Sequence, residues 1–125
     1  MIPKKIVQVL LVDGGELPTD IPDGFAAAMQ SYRDMNPRYT YKLFSGNECR
    51  AWITTNYSER ELRAFDKVRS FSDFVYEGRF RETSADKFKT QLVPYTYKCD
   101  LFRLLYVFRV GGWYADARQV RDGAP

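Results

Sequence analysis

The chain contains no histidine and only two cysteines among its 125 residues. Without imidazole, Ser-His and Cys-His nucleophilic pairs are excluded, and so are the common histidine-bearing zinc sites. Cys49 and Cys99 are too few for a disulfide framework or a cysteine-only metal site. No apolar run approaches the length of a membrane span, and the N-terminus lacks the apolar core of a signal peptide. The longest basic run is Lys4-Lys5, and the 19 basic and 16 acidic residues are interspersed to a net charge of +3. No polycationic stripe is present to track a nucleic-acid backbone. These absences point to a soluble protein of a reducing compartment, the cytoplasm, with no nucleic acid and no membrane span among its partners.

Large aromatic side chains are abundant: nine Tyr, nine Phe and two Trp make up 16% of the chain, within a hydrophobic share of 45%. At this length the chain forms one domain, residues 1–125, and can bury roughly two thirds of its unfolded surface. KKIVQVLLV (4–12), bounded by Pro3 and Asp13-Gly14-Gly15, reads as a buried strand. Pro22 opens a helix that carries good helix formers to Met35 and stops at Asn36-Pro37. RYTYKLFS (38–45) alternates as a second strand. From Gly46 a helix places Cys49, Trp52 and Ile53 on one face. Ser58 and Glu61 have capping-box spacing for a short helix through about Val68.

Residues 69–93 carry little pattern beyond a short helix near 84–92. PYTYKCDLFRLLYVFRV (94–110) is the clearest helix, with Tyr97, Leu101, Leu104, Leu105 and Phe108 as its apolar stripe. Gly111 would cap it in the left-handed conformation. Trp113-Tyr114-Ala115 follow as a strand. Strand, helix, strand, helices, strand is the order of an open α/β sheet, in which ligands gather at the carboxyl ends of strands. The loop after Val12 and the segment at Asp116 would both lie there.

Asp100 and Arg103, three residues apart, share a helix face. Spacing alone allows either a surface ion pair or a functional pair, and Asp116 is equally readable as a turn former. The combination says more. IPKKIVQ (2–8), NPRYTYKLFS (36–45) and KCDLFRLLYVFRVGGWYADAR (98–118) resemble three segments of the DxD-containing glycosyltransferases of the family 32 type, which are related to the sugar-transferase domains of clostridial toxins and to capsular-polysaccharide enzymes. Asp100, Arg103, Gly111, Gly112, Tyr114 and Asp116 fall in register with that family's core signature.

The resemblance implies the donor-binding half of a GT-A, Rossmann-like fold, an open and mostly parallel sheet with flanking helices. It implies transfer of a hexose from a nucleoside-diphosphate sugar to an unknown acceptor. Asp100 and Arg103 would orient the sugar, and Asp116 the ribose and the diphosphate. Tyr114, Gly111 and Gly112 would belong to the donor site, and Gln8 would lie near the base, its alternative being a polar residue at a strand edge. The family uses Mn²⁺ or Mg²⁺, for which Asp116 is the candidate ligand.

Two departures bear on activity. The second acid of the DxD motif is Arg118, whose guanidinium cannot coordinate a cation but can offset leaving-group charge. Val7 stands where the family usually has His. Family members also continue well past the signature, so a partner chain or a second copy would cover the open end. A catalytically inactive nucleotide-sugar-binding module, or a subunit of a glycan-synthesis assembly, is the alternative function. A structural α/β domain without a ligand is the third.

Overall fold

In the computed structural model, which describes residues 3–67, 88 and 90–115, the apolar run after Pro3 forms strand β1 (Lys5–Val9). Four consecutive residues, Ile6 to Val9, are buried, the pattern of a strand covered on both faces. Strand β2 (Thr40–Phe44) pairs with it in parallel, from Lys5↔Thr40 to Val9↔Phe44. Strand β3 (Trp113–Tyr114) pairs in parallel on the other side, through Ile6↔Trp113 and Val7↔Tyr114. The order is β2-β1-β3, an open parallel sheet with flanking helices. Each parallel pairing needs a long crossover, and helices supply it: α1 (Asp23–Met35) between β1 and β2, then α2 (Gly46–Asn56), α3 (Glu59–Asp66) and α4 (Thr96–Val110) before β3.

Alternation along β1 distributes the core over both faces. Val7 and Val9, with Leu11 beyond the strand, pack with Phe44, Cys49, Ile53, Phe65, Phe102 and Tyr106, the cluster under α2, α3 and α4. Phe102 is its centre, with ring centroids 5.0 Å from Phe44 and 5.6 Å from Trp52. On the other face Leu10 meets Phe25 and Met29 of α1, together with Phe88 and Leu92. Phe25 and Phe88 stack edge to face at 4.9 Å.

Helix starts follow local chemistry. Ser45 and Glu48 form a full capping box on α2: Ser45 Oγ accepts from the Glu48 N–H at 3.1 Å, and the Ser45 N–H donates to Glu48 Oε1 at 3.0 Å. At α3 the Ser58 N–H donates to Glu61 Oε1 at 3.0 Å. Pro94 sits in a 3₁₀ turn, Val93–Tyr95, that leads into α4. Residues 88 and 90–92 are helical; the rest of the expected 84–92 helix lies outside the described residues. No helix among them is long and apolar enough to cross a membrane.

Two expectations about α4 need correction. The side that meets the sheet carries Cys99, Phe102 and Tyr106, continuing from Tyr95, rather than the expected stripe. Tyr97, Leu104 and Phe108 are exposed, and Leu101 and Leu105 are only partly buried. At 3.6 residues per turn the two sets lie on nearly opposite sides of the helix, and the sheet takes the one able to interlock with Phe44 and Trp52. Gly111 does cap the helix, its N–H donating to Val107 O at 2.9 Å, with a positive φ of 84°. Its ψ of −164° places it in an extended region essentially restricted to glycine, not the left-handed helical one.

Candidate functional site

The chain leaves β1 for β2 on one side and returns for β3 on the other. The carboxyl ends of β1 and β3 therefore form a switch point, where open α/β sheets hold ligands. Because α4 turns straight into β3, its first turns lie over that end of the sheet. The Tyr95 hydroxyl, just ahead of α4, donates to Asp13 Oδ1 in the loop after β1. Further along, Arg103 Nη2 is 3.9 Å from Asp100 Oδ1, with both side chains about half exposed. The Arg103 guanidinium lies 5.7 Å from the centre of the Tyr114 ring. Asp100, Arg103 and Tyr114 thus come together beside the end of β3. Asp116 and Arg118 follow two and four residues later and lie outside the described residues.

Of the other expected site residues, Gly112 lines an outer groove together with Arg103 and Tyr114, whereas Gly111 and Gln8 stand apart from it. Gly111 and Gly112 lie at the amino ends of the strands: a Cβ on Gly111 would come 2.9 Å from Pro3 Cδ, and one on Gly112 would come 3.2 Å from Lys5 Cβ. They bring α4 tightly into β3, at the end of the sheet opposite the switch point. Gln8 is neither at a strand edge nor open to a ligand. It is fully buried on the central strand, its Oε1 accepting from the Tyr41 hydroxyl, and Nε2 has no partner among the described residues. Burial raises the Tyr41 pKa, opposed by Arg33, whose guanidinium lies 4.1 Å from the ring centre.

The structure adds residues that sequence reasoning did not select. A cavity of about 240 Å³ opens beyond β1 and β2, lined by Val12, Gly14, Gly15, Gly46, Tyr95 and Lys98 among others. Gly15 is pressed onto α2, where the Asn47 N–H donates to Gly15 O at 2.9 Å and a Cβ would collide with the Asn47 side chain. Lys98 Nζ lies 4.5 Å from the Phe65 ring centre and 5.8 Å from that of Tyr95. Burial depresses its pKa, with Asp66 opposing. Asp66 itself is held bidentately by Arg50 at 3.0 to 3.2 Å. Lys98 therefore presents a partly desolvated ammonium with no direct ion pair among the described residues, suited to a phosphate or carboxylate. Strand order had placed the loop after Val12 at the ligand end of the sheet without singling out a residue in it, and nothing distinguished Lys98 from a surface lysine.

A larger groove of about 640 Å³ runs along the outside, between α4 and β3, lined by Arg103, Leu104, Phe108, Trp113 and Tyr114 among others. Cys49 and Cys99 are buried and unbridged, and burial pushes the Cys49 thiol up, away from thiolate chemistry. Among the described residues no three acidic, cysteine or histidine side chains are grouped to hold a metal ion, and Asp116 lies outside them. Comparison of the chain with protein-family models, with curated proteins and with solved structures finds no match.

Proposed function

We propose that the chain is the donor-binding portion of a GT-A glycosyltransferase of the family 32 type, serving hexose transfer from a nucleoside-diphosphate sugar to an acceptor. The observation that carries this reading is the convergence of Asp100, Arg103 and Tyr114 beside the carboxyl end of β3, at the switch point of a parallel sheet. A nucleotide sugar presents hydroxyls, two phosphates and a flat base. Asp100 accepts from sugar hydroxyls, and Arg103 donates a planar fork to a hydroxyl or phosphate. Lys98 adds charge for the diphosphate, with the Tyr95 ring beside it. Mn²⁺ or Mg²⁺ serves the family, and Asp116 would be its ligand here.

A second reading, an inactive nucleotide-sugar-binding module or assembly subunit, is favoured by Arg118 in the place of an acid. Both readings require donor binding, and thermal unfolding against UDP- and GDP-sugars, with and without Mn²⁺, tests it. A donor at a hundred times its dissociation constant adds about 2.7 kcal/mol, which raises the midpoint by roughly 10 °C in a domain of this size. No shift with any donor from a cooperatively unfolding chain sinks both readings. Arg118→Asp should introduce a response to Mn²⁺ at an otherwise intact site. Asp100→Ala should weaken sugar-nucleotide binding more than binding of the bare nucleotide; equal losses contradict its sugar-facing role.

A further inference from the structure

We propose that the outer face of α4 is a self-association surface, on which a second copy of this chain packs helix against helix. Tyr97, Leu104 and Phe108 face outward, and Leu101, partly buried against the core cluster, stands between Tyr97 and Leu104, so that the four are spaced four, three and four residues apart. That is the repeat of a helix-pairing seam, and the opposite side of the same helix is already taken by the sheet. A helix apolar on two opposed sides is an interior helix, needing a layer on each. Among the described residues one layer is present. On the other side Phe108 is 88% exposed, Leu104 62% and Tyr97 53%, with Trp113 of the edge strand alongside at 51%.

The area argues for a second copy. These four side chains together offer on the order of 500 Å², against about 800 Å² per partner in a standard interface. Leu104, Phe108 and Trp113 also form walls of the groove along β3, whose remaining walls, Tyr57, Leu105 and Val107 among them, extend the contact, and its volume of about 640 Å³ has room for a ring from the second copy. A surface bearing both the projection and the hollow is complementary to itself, as a two-fold interface requires. The groove shares Arg103 and Tyr114 with the proposed donor site, so association is measured in the absence of any nucleotide sugar.

Sedimentation velocity across a wide concentration range tests it on the 125-residue chain, beside Phe108→Glu and Leu104→Glu. The expected result is a concentration-dependent dimer whose dissociation constant rises about tenfold or more in each variant. Far-UV circular dichroism and the unfolding midpoint of dilute, monomeric protein should be unchanged, because neither side chain contributes to the core cluster. Leu104→Glu, mid-helix, covers the case in which Phe108→Glu perturbs the helix end. A chain that stays monomeric at every concentration overturns the proposal. So does a dimer whose constant neither substitution alters.

Discussion

Glu48 is tied from two sides, by the Lys42 ammonium and by the Ser45 N–H, and both hold its carboxyl below the ordinary value of 4.5. A carboxyl depressed in the folded state contributes stability that is complete above its unfolded value and lost as pH falls through the folded one. Glu48→Gln should therefore lower the unfolding free energy at neutral pH, by less than about 1 kcal/mol for so exposed a pair. The gap to the parent should close as a urea titration is repeated at pH values below 4.5; a gap that persists in acid shows that the charge is not its source. Phe102 sits at the other extreme, fully buried between Phe44, Trp52 and Tyr106. Phe102→Ala should cost about 3–5 kcal/mol in denaturant unfolding. Both α2 and α3 carried their capping spacing openly in Ser45-x-x-Glu48 and Ser58-x-x-Glu61, and only the second was read. The burial of Gln8 was not legible, because a polar residue in an apolar strand looks the same whether it faces a ligand or is sealed beneath Tyr41.

Element identity was largely legible and orientation was not. Alternation, Pro22, the glycines and the capping spacing located β1, α1, β2, α2, α3 and α4 closely. For α4, periodicity disclosed an apolar stripe but could not say which of two faces the sheet would choose, since that depends on rings of β2 and α2 distant in sequence. The corner after α4 rests on Gly111 and Gly112, at φ 84° and 97°. Alanine at either position meets an unfavourable backbone and a close neighbour, Pro3 or Lys5. A loss of about 1–3 kcal/mol is expected for each. Hydrogen exchange should localise it to β3, through faster exchange of the Ala115 N–H, which donates to Val7 O at 3.0 Å. Unchanged exchange there would detach the two glycines from the docking of β3.

At the scale of the molecule, strand and helix order was enough to indicate an open parallel α/β sheet. That order also placed the loop after Val12 at the ligand end, but not the lining of the cavity there, because Gly14, Gly46, Tyr95 and Lys98 meet only after two crossovers are complete. Lys98 allows a prediction with opposite signs for stability and binding. Lys98→Met removes an ammonium that burial disfavours, so the unliganded chain should unfold at an equal or higher temperature. Its affinity for a nucleoside diphosphate should fall about tenfold or more by calorimetry. Equal affinity would remove Lys98 from the site.

The central position of β1 also sets a timetable. Its partner on one side, β2, leaves the ribosome soon after it, but β3 follows about a hundred residues later. At about 5–20 residues per second, the newborn chain carries β1 with a bare flank for roughly 5–20 s. Throughout that interval the strand that organises the finished sheet has one unpaired edge, the kind that pairs readily with another chain.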